Sequence, residues 1–253
     1  MPLEIHVLHV GDLDLDQSFL VLGYRPGTIA RVPIYSYLIL GGEKKVLVDA
    51  GWSHPKIMSR LGMKGMQKPE QDIRRQLKTH GLNPTDVDYL VHTHLHIDHA
   101  GMDRLFTKAQ IVMQRRELEY SVSGLMGEQY PAEYITYLVE QLHKPGRLLL
   151  LDGDIGGDTQ LIKNVWCVAA KAHTPGSTNV YVKTNKGMAV LCGDVIYDIE
   201  EQTRKRKYWP TGNHAMTKRE EMAAIAKIVH DADFILPIHD YEVQEKYGNT
   251  IPP

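Results

Sequence analysis

The sequence is poor in cysteine and phenylalanine and has no excess of charge of either sign. Its 253 residues include 2 Cys and 3 Phe, and 29 basic residues stand against 31 acidic ones, for a formal net charge of −2. Two cysteines allow at most one disulfide, which excludes a disulfide-rich secreted scaffold. The balance of charge argues against nucleic acid or an anionic membrane surface as the main partner.

Long apolar runs are also absent. Residues 1–6 have neither a basic segment nor an apolar core, so the sequence predicts no signal peptide, and no stretch is long enough to cross a bilayer. We therefore expect a cytoplasmic protein without a membrane partner, in which Cys167 and Cys192 are reduced core thiols. The hydrophobic content of 43% is sufficient for a sizeable core, and one domain over residues 1–253 is predicted.

The pattern of apolar residues predicts an α/β fold. Strands are predicted at residues 4–10, 32–40, 45–49, 88–91, 110–113, 165–172, 179–183, 188–192 and 234–238. Helices are predicted at residues 69–80, over most of 115–144, and behind a capping box formed by Thr217 and Glu220. Residues 11–33 are interpreted as a long loop and residues 200–207 as a solvated loop. Two strand-rich halves with helices predict stacked sheets covered by helices.

Four potential metal ligands fall within six consecutive positions after a predicted buried strand. They are His94, His96, Asp98 and His99. Imidazole and carboxylate donors suit zinc or another borderline divalent ion. Residues two apart share one face of an extended backbone, so His94 and His96 are expected to point at one ion. A turn after them lets Asp98 and His99 face a neighbouring position.

One loop cannot saturate two ions, because tetrahedral zinc alone takes four ligands. Further donors are therefore expected at strand ends elsewhere, where a rigid sheet presents them. Three residues stand at such positions: His173, Asp194 and His239. Together with the histidine cluster they predict a site for two metal ions.

The motifs from Asp49 through His94-x-His96-x-Asp98-His99, His173, Gly193-Asp194 and His239 resemble those of the metallo-β-lactamase superfamily. The resemblance implies an αβ/βα sandwich of two packed mixed sheets flanked by helices. It implies one ion on His94, His96 and His173, a second ion on Asp98, His99 and His239, and a bridge between them by Asp194. It also implies that Asp49 orients the ligand loop. His92 matches no ligand position and is interpreted as a strand residue.

Within the superfamily, the sequence is most similar to the N-acyl-homoserine lactonases and the 4-pyridoxolactonases. The similar features are residues 31–38, residues 114–120, the His239-Asp240 pair and Gly193-Asp194-Val195-Ile196-Tyr197. In those lactonases a tyrosine three residues after the bridging aspartate contacts the substrate carbonyl, which implies this role for Tyr197. The chain departs from them with a single Gly101 where many have two glycines, and with Ser177 where a further histidine is frequent.

The resulting hypothesis is hydrolysis of a lactone ring, most directly that of N-acyl-homoserine lactones, which amounts to quorum quenching. A hydroxide held between two divalent ions attacks the carbonyl carbon, and Tyr197 polarises the carbonyl oxygen. Asp98 takes the proton of the attacking water and returns it to the ring oxygen. Zinc is the preferred ion, with iron, manganese or cobalt as alternatives.

Other functions on the same site stay open at the level of sequence. They are hydrolysis of another small lactone, an ester or a cyclic amide, cleavage of a phosphodiester as in a nuclease, and metal-dependent binding without catalysis. A small molecule is the expected partner, and the protein is expected to be a monomer or homodimer. Residues 11–33 and 115–144 are predicted to wall the pocket, and an acyl chain is expected to contact Leu20, Leu22, Tyr24, Leu125, Met126 and Tyr134.

Overall fold

The computed structural model describes residues 2–251. Its strands are β1 (Glu4–Asp16), β2 (Ile29–Leu40), β3 (Val46–Val48), β4 (Lys64–Met66), β5 (Tyr89–Val91), β6 (Gln110–Gln114), β7 (Leu148–Leu151), β8 (Thr159–Ile162), β9 (Val165–Ala169), β10 (Thr178–Thr184), β11 (Gly187–Gly193), β12 (Phe234–Pro237) and β13 (Thr250–Ile251). Its α-helices are α1 (Gln17–Leu20), α2 (Ile73–Thr79), α3 (Arg115–Ser121), α4 (Ala132–Leu142), α5 (Gly153–Gly156), α6 (Lys218–Asp231) and α7 (Glu242–Tyr247).

Two mixed sheets share one apolar core. The first sheet has eight strands in the order β13-β1-β2-β3-β5-β6-β7, with β4 paired to β1, and the second has five in the order β12-β11-β10-β9-β8. Buried side chains of both sheets, such as Leu38 and Leu191, belong to a single core cluster. A second cluster packs Ile225 and Ile228 of α6 on the other face of the second sheet. The predicted sandwich of two sheets with flanking helices is confirmed.

Several strands run in the same direction and end at the same edge. In the first sheet, β3, β5 and β6 are parallel neighbours. In the second sheet, β11 is parallel to β12, and both β9 and β11 are antiparallel to β10. Loops at the carboxyl ends of such strands are where α/β proteins place their ligands. The predicted metal donors all lie in loops that follow β5, β9, β11 and β12.

Two segments that were predicted to be loops contain regular secondary structure. β1 continues to Asp16 with a register shift between His9 and Gly11, so residues 11–16 are strand and not loop. In this stretch half-buried aspartates alternate with the buried Leu13 and Leu15, which is the period of a strand with one face toward solvent. Residues 200–205 form a helical turn with π geometry, and Gln202 within it is fully buried.

Other differences concern short elements. The strands β4, β7, β8 and β13 were not predicted, because stretches of two to four residues carry little periodic signal. The capping box at the start of α6 is confirmed, as Thr217 accepts a hydrogen bond from the backbone of Glu220. Cys167 and Cys192 are buried, free thiols. No helix among residues 2–251 is long and apolar enough to span a membrane. A single domain stays a prediction.

We predict that Gly101→Ala destabilises the protein. A Cβ atom at Gly101 would lie 2.1 Å from the backbone nitrogen of Ser53 and 2.3 Å from the carbonyl carbon of Trp52, so backbone must move. Overpacking of this kind costs about 1–3 kcal/mol. Gly156→Ala is the matched control, because nothing lies within 4 Å of its Cβ position. Urea unfolding of both variants, with and without chelator, measures the difference, and equal midpoints would contradict the prediction.

Candidate metal centre

Seven predicted donor residues converge at the edge where the strands end. They form two adjacent groups of buried side chains, in each of which one donor atom per residue lies within 4.8 Å of the others. The first group comprises His94, His96, His173 and Asp194, and the second comprises Asp98, His99 and His239. The first group contains four potential ligands and the second contains three. A divalent ion such as zinc takes three or four ligands from a protein.

The carboxylate of Asp194 lies between the two groups. Its Oδ2 atom is 3.7 Å from His94 Nε2 and 3.6 Å from His173 Nε2, both in the first group. Its Oδ1 atom is 3.3 Å from Nε2 of both His99 and His239 in the second group. One carboxylate therefore presents one oxygen to each group, which is the arrangement required to bridge two cations.

Main-chain carbonyls fix the tautomers of two donor histidines. The Nδ1 atom of His173 lies 2.7 Å from the carbonyl oxygen of Asn213, and that of His239 lies 2.8 Å from the carbonyl oxygen of Pro33. A carbonyl oxygen only accepts, so each neutral ring carries its proton on Nδ1. Each Nε2 atom is then left with a lone pair directed into the site, as a metal ligand requires.

Asp49 orients the ligand loop by several hydrogen bonds. It accepts from the backbone N–H of Thr93 at 2.9 Å and from the Thr93 hydroxyl at 2.6 Å. Its Oδ2 atom also lies 3.0 Å from Nδ1 of His99. The backbone φ of Asp49 is +57° and that of His173 is +63°, a region that side-chain-bearing residues seldom adopt. Such strain is typical of sites where the surrounding structure holds a functional side chain in place.

The prediction that His92 is a strand residue is wrong. β5 ends at Val91, and His92 lies buried with Nε2 at 2.9 Å from Asp103 and Nδ1 at 3.4 Å from Asp49. Burial alone would lower the pKa of His92, but the carboxylates of Asp103 and Asp49 raise it to about 9. A buried imidazolium thus stands behind Asp49 and balances its charge. The sequence did not reveal this, because Asp103 is brought back to His92 by a separate turn.

The site contains polar atoms whose partners are missing among the described residues. His99 Nε2 and Asp194 Oδ1 are buried without a hydrogen bond. His173 Nε2 also lies 3.1 Å from both His94 Nε2 and His96 Nδ1, so that three ring nitrogens face one another. Buried polar atoms normally have partners, and a cation satisfies several converging lone pairs at once. The donor set therefore fits two divalent metal ions.

The charges of the site also suit metal binding. Burial, together with the neighbouring His99 and His96, lowers the pKa of His94 well below its ordinary value, so that ring is neutral. Burial would raise the pKa of Asp194, but the nearby histidines His239, His99 and His94 hold it well below the ordinary value. Asp194 and Asp98 outweigh burial and raise the pKa of His99. A bound cation competes with that proton, so metal binding releases protons here.

Tyr197 lies at the same site. Its hydroxyl donates a hydrogen bond to Oδ2 of Asp194, and its ring stacks on that of His239, with centroids 5.0 Å apart and planes 8° from parallel. Burial, together with Asp194 and Asp98, raises the pKa of Tyr197 well above its ordinary value. The phenol is therefore protonated at neutral pH and serves as a hydrogen-bond donor.

A cavity borders both groups of donors and has one apolar wall. This wall is formed by Leu13, Leu15, Phe19, Met58, Leu61 and Met63. The polar side chains of Tyr197, Gln129 and Asn213 also line the cavity, beside the predicted ligands. The segments 11–33 and 115–144 thus both contribute, as predicted.

The six residues expected to contact an acyl chain do not line this cavity, and their contact with an acyl chain stays a prediction. Leu20 and Tyr24 line a neighbouring cavity that also borders Tyr197 and His239, and Leu125 is 74% exposed. Tyr134 donates a hydrogen bond to the Ser53 hydroxyl. Because β1 extends to Asp16, Leu13 and Leu15 line the cavity beside the donors.

Glu117 is a buried residue of the site that the sequence reasoning did not select. It accepts hydrogen bonds from the backbone N–H of Leu95 at 3.0 Å, the Tyr130 hydroxyl at 2.9 Å and the Thr174 hydroxyl at 2.6 Å. It therefore joins the loop of His94 and His96 to the turn that follows His173. Its only signal in the sequence is a lone carboxylate in the first turn of α3, which is also common on exposed helices.

Comparison with known proteins agrees with the fold and the site. The sequence pattern of the metallo-beta-lactamase superfamily matches residues 29–236. The chain belongs to this superfamily. Its curated relatives include an N-acyl homoserine lactonase of Bacillus thuringiensis, 26% identical over 201 residues that cover 74% of this chain and 73% of the relative. An N-acyl homoserine lactonase of Bacillus cereus is 27% identical over 207 residues, which cover 78% of this chain and 77% of the relative.

Solved structures of other proteins share the fold over nearly the whole chain. One is an N-acyl homoserine lactone hydrolase with the product N-hexanoyl-L-homoserine bound at its catalytic metal centre. It has a TM-score of 0.77 at 24% identity and covers 97% of this chain and 96% of its own. Another is AidC, a dizinc quorum-quenching lactonase, with a TM-score of 0.68 at 16% identity and coverage of 94% and 87%. The resemblance to lactonases predicted from the sequence is confirmed.

We predict that Glu117→Gln weakens metal binding and lowers stability. The amide keeps the shape but replaces one acceptor oxygen by a donor, so a donor such as the Leu95 N–H loses its partner. Breaking a buried hydrogen bond to a charged group costs about 1–3 kcal/mol of stability. Loss of a residue that orients metal ligands lowers metal affinity about 10- to 100-fold. Glu119→Gln, an exposed position on the same helix, is the control. Competition with a metal-binding dye measures affinity, and equal affinities for both variants would contradict the prediction.

Proposed function

We propose that this chain is a dinuclear metal-dependent hydrolase that opens the lactone ring of N-acyl-homoserine lactones. The observation that carries the proposal is the carboxylate of Asp194, which presents one oxygen to each of two groups of buried donors. Relatives named as N-acyl homoserine lactonases over about three quarters of the chain support the choice of substrate.

In this proposal the two ions are held by the two groups of donors. His94, His96 and His173 would hold one ion, Asp98, His99 and His239 would hold the other, and Asp194 would bridge them. Such ions supply Lewis acidity and make hydroxide available near neutral pH. Zinc suits this set of imidazoles and carboxylates best, and iron, manganese or cobalt also accept it.

Asp98 moves the proton in the proposed reaction. Its carboxylate lines the cavity, with Oδ2 at 3.4 Å from Nε2 of His239 and Oδ1 at 3.7 Å from Nε2 of His99. It is thus placed to accept the proton of the attacking water. It then returns this proton to the ring oxygen as the C–O bond breaks, which leaves a hydroxy acid.

Tyr197 supplies a neutral hydrogen-bond donor beside the reacting carbonyl. In the structure its hydroxyl donates to Asp194. When substrate is bound, the same hydroxyl turns to the carbonyl oxygen and stabilises the charge that develops there. The apolar wall of Leu13, Leu15 and Phe19 accepts the acyl chain.

Local ion pairs argue against the nuclease alternative. In the basic run at residues 204–207, Arg204 contacts Glu200 and Glu242, and both Lys205 and Arg206 contact Glu201. These acidic partners reduce the positive potential with which the run would attract a phosphate backbone. Other small lactones, esters and cyclic amides fit the same donors and are separated by a substrate panel. A cytoplasmic location and a monomeric or dimeric state stay predictions.

We predict chelator-sensitive opening of N-acyl-homoserine lactones with two metal ions per chain. Ring opening produces a carboxylic acid, so proton release in weak buffer reports it directly. The panel pairs each N-acyl-homoserine lactone with an unsubstituted lactone, an aromatic lactone, an ester and a phosphodiester. Removal of metal should abolish activity, and added zinc should restore it, since the ions provide the nucleophile. Absence of lactone opening by protein that holds two ions would contradict the proposed function.

We predict that Tyr197→Phe lowers kcat about 100- to 1,000-fold, because a hydrogen bond to the developing oxyanion is lost. Metal content should stay at two ions, since Tyr197 is not among the proposed ligands. Tyr247→Phe serves as the control, because Tyr247 packs on Phe234 away from the site. An unchanged kcat for Tyr197→Phe would exclude Tyr197 from the chemistry, whereas loss of metal would mean that its role is structural.

A further inference from the structure

The chain after Tyr197 folds back through the π-helical turn at Glu200–Lys205, and Gln202 in this turn is fully buried. The charged residues near it in the sequence are half-buried (Glu200 and Glu201) or exposed (Arg204 and Lys205), whereas its own side chain is buried. A buried amide requires partners for both its oxygen and its nitrogen, because an unpaired polar group is costly in the interior. The partners of Gln202 therefore show what this residue holds in place.

The side chain of Gln202 bonds only to the backbone of the loop, through its oxygen and its nitrogen. Its Oε1 atom accepts hydrogen bonds from the N–H of Tyr197 at 2.7 Å and of Asp198 at 3.0 Å. Its Nε2 atom donates to the carbonyl oxygen of Trp209 at 3.1 Å. Its own carbonyl oxygen accepts from the N–H of Tyr208 at 2.7 Å and of Trp209 at 3.0 Å. One residue thus ties both ends of the loop from 197 to 209 together.

Glutamine is suited to this position by its length and its two functions. A methionine has the same length but only a weak acceptor, and a glutamate has no donor for the Trp209 carbonyl. The N–H groups of Tyr197 and Asp198 precede a helical turn, where backbone donors have no partner within the helix. Gln202 supplies that partner from inside the turn.

The same segment is anchored on its other side next to a proposed metal ligand. The N–H of Ile199 donates to Oδ2 of Asp240 at 2.7 Å, and Asp240 follows His239 directly. The rings of Tyr197 and His239 are stacked. The direction of the Tyr197 side chain is therefore set by a backbone that is fixed both to Gln202 and to the chain beside His239.

We propose that Gln202 is a positioning residue that holds the backbone of Tyr197, so that the Tyr197 hydroxyl reaches the reacting carbonyl. This inference rests on the proposed function of Tyr197. A catalytic hydrogen-bond donor must be held within a fraction of an ångström of its productive position. The residues that contact its backbone and side chain determine how precisely it is held. Gln202 contacts neither the proposed ligands nor the cavity, and acts through Tyr197.

Gln202→Met tests the proposal, with Gln141→Met as the matched control. Gln141 is 2% exposed and bonds to Tyr137, Lys144 and Arg147, all outside the site. Gln202→Met should lower kcat on the order of tenfold while both metal ions are retained, because small misplacements of a catalytic group cost up to about 100-fold. In a Tyr197→Phe background the same substitution should have little further effect on kcat, since the hydroxyl that it misplaces is absent. Gln141→Met should change stability and leave kcat unchanged.

Amide hydrogen exchange gives a readout that does not depend on activity. In protein labelled with ¹⁵N-tyrosine, the Tyr197 signal is the one absent from Tyr197→Phe, and its exchange should quicken in Gln202→Met but not in Gln141→Met. Unchanged exchange would overturn the proposal, as would an equal loss of kcat in the wild-type and Tyr197→Phe backgrounds. If no lactone is opened by any variant, the proposed function fails, and the exchange experiment still decides whether Gln202 holds Tyr197.

Discussion

One electrostatic constraint shapes this edge of the protein: many potential metal ligands are buried around the single carboxylate of Asp194. Asp194 lies between five histidines and Asp98, in a place from which water is largely excluded. Burying such groups without a compensating charge is expensive. Neighbouring elements orient the lone pairs toward the positions that two cations would occupy, and bound cations would reduce this cost. The fold at this edge is therefore best understood as a scaffold that holds those lone pairs in place.

The interactions that orient the donors also join the two sheets. The carbonyl oxygen of Pro33, in β2 of the first sheet, fixes the tautomer of His239, which follows β12 of the second. Close by, the N–H of Tyr35 donates to the carbonyl oxygen of Ile238 at 3.1 Å. The N–H of Thr178 likewise donates to the carbonyl oxygen of Thr93 at 2.7 Å. Metal binding at these donors would therefore be coupled to the packing of the sandwich, because the same contacts orient the donors and join the sheets.

The sequence pointed to the seven residues that converge at this edge but not to the residues that support them, for a physical reason. A donor at a strand end is revealed by local signals: an apolar run, a polar residue such as His173 or His239, and a turn. A support acts on a partner distant in sequence, and nothing local marks it. Asp103 behind His92 and Gln202 behind Tyr197 are read from sequence as ordinary polar residues of a turn and a loop. Long-range contacts of this kind exist only once the chain is folded.

The donor residues and the residues of the apolar wall also differ in how firmly the fold holds them. The donors follow strands whose ends are fixed by hydrogen bonds, so their geometry tolerates little change. The apolar wall comes from β1, α1 and residues 58–63, which touch the site through side chains such as Leu13, Phe19 and Met63. Substitutions in the wall alter volume and apolar area without moving a donor, so substrate preference can change while the metal site does not. In the proposed function, the apolar wall and Tyr197 would therefore determine which lactone is preferred, whereas the donors would determine the reaction class.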